Sequence, residues 1–213
     1  MSKVAGLLNE SLFAARKMKR LLFLVAGIYV VSFLAGYLMV HFQVPFAMEL
    51  SKTLIESVSA NPVFTPIIGS LMSGNLALAI AFTFLLNLSI GAFVYTTLIG
   101  VIPILGGVGS VAVTGLRGFV IGLTYYYAFR VSIGYTVVAL GTLILELGAY
   151  VFSAAAGINI SLSAIFPRRY GVESRWTAFK KAWKDASRIY VIVVILLVLG
   201  AVWEMAGIYI SMH

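Results

Sequence analysis

Residues 103–157 read PILGGVGSVAVTGLRGFVIGLTYYYAFRVSIGYTVVALGTLILELGAYVFSAAAG. Two apolar spans flank a short turn at Arg130 to Gly134, and each carries one charge, Arg117 and Glu146. In an antiparallel hairpin folded between Val131 and Ser132 the two charges are equidistant from the turn. At a rise of about 1.5 Å per residue both sit roughly 20 Å below it, inside a hydrocarbon core about 30 Å thick. A lone charge at that depth is costly and an opposite charge at the same level offsets much of the cost. The spacing therefore predicts an intramembrane ion pair.

The whole chain supports a membrane setting. A soluble domain has about a quarter of its residues charged. This chain of 213 residues has 10% charged and 62% hydrophobic residues, with a mean hydropathy of +1.05. The absence of cysteine excludes disulfides, thiolate metal sites and cysteine nucleophiles. The net charge of +8 sits beside apolar segments, where it sets orientation and meets anionic lipid; no nucleic-acid partner is expected. Apolar runs at about 21–42, 76–102, 110–129, 135–166 and 189–210 predict an all-α bundle of five spans in one membrane domain over residues 1–213. The first run follows Arg16, Lys17, Lys19 and Arg20, is too long for a signal peptide and lacks a small-residue cleavage site, so it reads as an uncleaved span. Pro103, Gly106, Gly107 and Gly109 predict a tight turn, with a re-entrant piece over 103–115 as the alternative.

Three amphipathic stretches accompany the spans, at about 2–20, 46–58 and 173–188. The third is the most basic part of the chain. Trp176, Phe179, Trp183, Ala186 and Tyr190 recur every three or four residues, while Arg175, Lys180, Lys181, Lys184 and Arg188 supply positive charge. This predicts a helix in the lipid headgroup layer, or one folded against the ends of the spans. Of the 15 Lys and Arg, all but Lys52, Arg130 and Arg117 fall in the N-terminal segment and the loop after span four. With five spans, the positive-inside rule predicts a multi-pass cell-membrane protein with a cytoplasmic N-terminus and an external C-terminus.

Asn87 lies about 17 Å into the second span, level with Arg117 and Glu146. Three polar side chains from three spans at one depth predict a hydrogen-bonded cluster that either fixes helix register or works as a relay or solute site. Glu204, near the end of span five, is a secondary polar position. Gly118 with Gly122, and Ala149, Ser153, Gly157 and Ser161, form thin ridges that pack inside one subunit or, in the alternative, between copies in a homo-oligomer. Tyr125, Tyr126 and Tyr127 read as interfacial anchors. No GxSxG, HExxH or P-loop occurs, so neither catalysis, a cofactor nor a metal is expected.

The arrangement of weak motifs from about Phe82 onward resembles the stage II sporulation protein M family of integral membrane proteins. A span bearing Asn87 leads through glycines to an NGxxxG-like element, in which Arg117 stands where asparagine is usual, before Gly118 and Gly122. A PHG-x-x-E-x-x-A pattern is matched at Glu146 and Ala149 and followed by Ala154, Ala155, Ala156 and Gly157. Gly141, Thr142 and Leu143 replace its proline, histidine and glycine. Ala201 and Glu204 match the closing A-x-x-E. The resemblance implies a polytopic fold without catalytic activity, like the bacterial namesake, a membrane anchor that gathers peptidoglycan-processing enzymes. The expected function is thus a non-catalytic scaffold that contacts membrane lipid and other membrane or membrane-associated proteins. The alternative is a transporter or channel-like component using Asn87, Arg117 and Glu146.

Overall fold

The computed structural model describes residues 3–103 and 105–212. Every regular element in them is helical: α1 Lys3–Lys17, α2 Lys19–His41, α3 Pro45–Ala60, α4 Thr65–Met72, α5 Leu76–Leu86, α6 Leu105–Ala128, α7 Ile133–Ile165 and α8 Arg175–Met212. A π-helical segment, Asn87–Leu98, and a 3₁₀ turn, Ile99–Val101, continue α5. Among the described residues five helices are long and apolar enough to cross a membrane: Lys19–His41, Leu76–Val101, Leu105–Ala128, Ile133–Ile165 and Arg175–Ser211. Large apolar side chains such as Phe23, Val31, Leu116 and Ile133 are exposed along them, as a lipid-facing surface requires.

Local chemistry sets the boundaries. Gln43 adopts φ 56° and Pro45 takes the first helical position of α3, so the chain leaves α2 through a sharp corner. Asn75 and Ser132 cap α5 and α7, accepting from the amides of Leu78 and Tyr135 at 3.1 Å each. After Ile102 the chain turns at Pro103 and re-enters a helix at Leu105. This is the tight turn; the re-entrant alternative over 103–115 does not hold, because residues 105–115 are the first turns of α6 itself.

One other expectation is corrected. The basic stretch 173–188 and the span 189–210 are one continuous helix, α8, of 38 residues. No proline or glycine interrupts the chain between Arg175 and Val198, so nothing bends it into the membrane plane. At about 1.5 Å per residue α8 is roughly 57 Å long, and its basic start projects beyond the hydrocarbon layer. Here α1 packs along it: the Ser11 hydroxyl donates to the Arg188 carbonyl (2.6 Å), and Arg188 Nε pairs with Glu10 (2.9 Å). Ala14, Met18, Ala182, Ala186 and Ile189 share one buried cluster. Two of the three tyrosines also join helices. Tyr126 is buried against Tyr37 and His41, and Tyr127 reaches Ser51 and Met48 on α3, because the α2 to α3 corner folds the cap helix onto this end of α6.

Small residues let backbones touch at two seams. Between α2 and α6, a Cβ on Gly36 would strike the Phe119 carbonyl and one on Gly122 the Phe33 carbonyl, while Gly118 lies 3.0 Å from the Tyr29 carbonyl by the same construction. Between α7 and the end of span two, a Cβ on Gly157 would lie 2.5 Å from the Thr96 carbonyl, and one on Gly100 would overlap Gly157. Both seams lie within one subunit. Gly157→Ala must separate backbone from backbone and should lower the unfolding free energy in detergent by about 1–3 kcal/mol. Gly148→Ala, which meets only the flexible Leu196 side chain at 3.6 Å, should be nearly neutral. Equal Tm values for the two variants would contradict this packing.

Candidate functional site

The π-helical segment organises the polar groups at depth. Wider π turns change the register of carbonyls and frequently mark functional sites. Thr96 and Thr97 bind back to the Ala92 carbonyl. Tyr190 on α8 donates to that same carbonyl at 3.0 Å, and the Thr97 hydroxyl donates to the Ser153 carbonyl on α7 at 3.0 Å. The next carbonyl back, that of Gly91, accepts from Arg117 Nη1 at 2.9 Å.

Arg117 and Glu146 lie in one assembly, but they are not the direct ion pair that their equal depth predicts. Among the described residues no contact of 4.0 Å or less joins the guanidinium to that carboxylate. Tyr150 stands between them. One helical turn after Glu146 on α7, its ring reaches Arg117 first and lies 3.4 Å from the guanidinium carbon, a cation–π contact. The Tyr150 hydroxyl donates to Asn87 Oδ1 at 2.9 Å, and Asn87 Nδ2 donates to Glu146 Oε1 at 2.5 Å. Only this orientation of the amide serves both neighbours, since the carboxylate can only accept. Gly91 makes the room: a Cβ there would meet the Tyr150 hydroxyl at 2.9 Å and Arg117 Nη2 at 3.1 Å. Asn87, Arg117 and Glu146 are therefore bridged by two residues, Tyr150 and Gly91, that sequence reasoning missed. The available signal was the four-residue step from Asn87 to Gly91 and from Glu146 to Tyr150, which repeats each polar face.

Glu204 joins the assembly from α8. With Glu146 and the amide of Asn87 it borders a cavity of about 530 Å³ beneath α4, walled by apolar side chains including Phe64, Ile67, Leu71, Leu86, Met205 and Ile208. A second cavity of about 150 Å³, lined by Tyr125, Tyr135 and Thr142, lies on the other side and shares Glu204 and Ile208 with the first. Each cavity has a buried hydroxyl without a hydrogen-bond partner in its wall, Thr83 in the larger and Thr142 in the smaller. Buried hydroxyls are normally satisfied, so both spaces suit an occupant with polar atoms. Glu146 and Glu204 both line the larger cavity, while the guanidinium of Arg117 is turned to the Gly91 carbonyl and the Tyr150 ring. Among the described residues no group of three or more His, Asp or Glu is placed to hold a metal ion.

The expected packing residues occupy the seams described above, with Ala149 and Ser153 buried on the face of α7 toward the π segment. On the basic part of α8, Trp176 stacks on Phe179 at 5.5 Å, Phe179 meets Trp183 edge-on, and Lys180 lies over Trp176. Trp176 is exposed, whereas Phe179 and Trp183 pack against the bundle. Lys181, Lys184 and Arg188 face a different cavity, together with Lys17 and Arg169.

The family model described as stage II sporulation protein M matches residues 21–206, which covers three of the five spans whole and most of the first and last, with every polar group of the cluster. The chain belongs to that family. It is accordingly a multi-pass membrane protein of the stage II sporulation protein M family. No curated protein and no solved structure gives a significant match. Within this family member the Arg117–Tyr150 contact is testable by a double-mutant cycle. Arg117→Ala and Tyr150→Leu should each cost about 2 kcal/mol in detergent unfolding. The double variant should cost less than their sum by at least about 0.5 kcal/mol. Strictly additive losses would show that the two side chains act independently.

Proposed function

We propose that this family member binds a cationic, partly apolar solute at Asn87, Glu146 and Glu204, as a step in moving it across or within the membrane. The observation that carries this reading is the cavity of about 530 Å³ that reaches the buried polar cluster. A scaffold needs only a dry, closed bundle at that depth. Here two carboxylates border an apolar chamber, a combination suited to an alkylammonium head and its hydrocarbon tail. Intramembrane ionisable residues facing a cavity mark substrate and ion pathways. The Arg117, Tyr150 and Asn87 chain holds the Glu146 side of the site in place from behind.

The scaffold reading has its own support in α1 and the start of α8. They extend past the apolar spans and present exposed Trp176 beside basic side chains, a surface suited to lipid or to a membrane-associated partner. The two readings separate in one experiment. Purified protein is titrated with hexyltrimethylammonium in a neutral detergent, and uptake of the same cation into proteoliposomes is then followed. Saturable binding and uptake that fall at least about tenfold in Glu146→Gln and Glu204→Gln, and persist in a Lys180→Ser variant, support the solute site. Absence of both, or equal values in all variants, would leave the scaffold reading.

A further inference from the structure

Another chamber lies at the opposite end of the molecule, where α1, the end of α7, the 3₁₀ turn Pro167–Tyr170 and the start of α8 converge. It has a volume of about 530 Å³ and is lined by Lys17, Arg169, Lys181, Lys184 and Arg188, with Asn159, Tyr170 and Asp185 among the polar groups of its wall. The chain brings these cations together from three segments, α1, the 3₁₀ turn and α8, although like charges repel.

Asp185 explains part of the arrangement. Its side chain is only 6% exposed, and it holds Lys17 at 3.6 Å and Arg188 at 3.4 Å from opposite sides. Glu10 takes the other edge of Arg188. These two carboxylates serve Lys17 and Arg188, while Lys181 donates to the Tyr170 carbonyl at 3.4 Å. Among the described residues Arg169, Lys181 and Lys184 have no carboxylate within 4.0 Å. Five cations against two carboxylates leave an excess of three positive charges around one space. Asn159 is buried and donates to the Tyr170 hydroxyl, fixing the floor. Burial holds the Tyr170 phenol above its ordinary value, although the Asn159 hydrogen bond works the other way, so it remains an O–H group.

We propose that this chamber is a binding site for a phosphomonoester or diphosphate group, with Arg169, Lys181 and Lys184 as the ligand-facing cations and Asp185 as the residue that positions Lys17 and Arg188. A dianionic group matches the charge excess better than a phosphodiester, which carries a single charge, and Arg and Lys together suit phosphate geometry. The site stands where the apolar stretches of α2 and α8 begin, next to Met18, so a lipid headgroup can reach it from the membrane and a soluble phosphate from the water.

The test uses the full chain in a neutral detergent, titrated separately with dioctanoyl phosphatidic acid, dioctanoyl phosphatidylglycerol and pyrophosphate. Saturable binding of phosphatidic acid, at least about tenfold tighter than of phosphatidylglycerol, is expected. It should weaken at least about tenfold in the triple variant Arg169→Gln, Lys181→Gln, Lys184→Gln. Arg175→Gln with Lys180→Gln, outside the chamber, should leave it unchanged, and Tm values near that of the unaltered protein verify folding. Binding of phosphatidic acid alone assigns the lipid source, and equal sensitivity of pyrophosphate binding to the triple variant assigns the soluble one. No saturable binding of either phosphate compound, or binding that the triple variant leaves intact, would overturn the site.

Discussion

The contact on which this architecture depends is the backbone-to-backbone seam between α7 and the far end of span two, where Gly157 lies against Thr96, Thr97 and Gly100. Lipid tails are as apolar as the side chains, so association within the bilayer rests on close packing and internal hydrogen bonds rather than on burial from water. A residue with a Cβ at Gly157 would push the two segments apart. The Thr96 and Thr97 bonds to Ser153 would lengthen, and Asn87 would lose its alignment with Tyr150 and Glu146. The thin ridge of α7 thus fixes both packing and the level at which the polar groups meet.

The same ridge gives the polar assembly its chemistry. A guanidinium inside hydrocarbon needs donors satisfied on several sides, and one carboxylate would meet only part of that need. Here the Gly91 carbonyl, turned out by the π register, and the face of Tyr150 share the task. Glu146 is thereby left to face Asn87 and a chamber that it shares with Glu204. An aromatic ring between opposite charges converts a closed ion pair into a site with one open side.

Charge is distributed differently at the two ends of the bundle. The chamber beneath α4 is apolar with a carboxylate floor, and the chamber beside α1 is ringed by cations that two carboxylates only partly neutralise. The continuous α8 contributes to both: Glu204 near one end, Lys181 to Arg188 near the other. A rigid helix of this length keeps the two sites at a fixed separation, with no flexible joint along it where the basic stretch meets the span.

Hydropathy and charge alone determined the membrane-spanning helical class, the five spans and the common depth of Asn87, Arg117 and Glu146. Each depends on quantities that accumulate along the chain: span length, helical rise and the cost of a polar group in hydrocarbon. Tertiary structure decided what those properties leave open. Whether 173–188 lies flat or continues a span depends on its packing against α1, since its periodicity fits both. Whether Arg117 meets Glu146 or Tyr150 depends on which side chain of one helical face reaches farther across the gap. The π register of Asn87–Leu98 has no signature in an apolar sequence, because both faces of such a segment look alike until a neighbouring helix takes up its carbonyls.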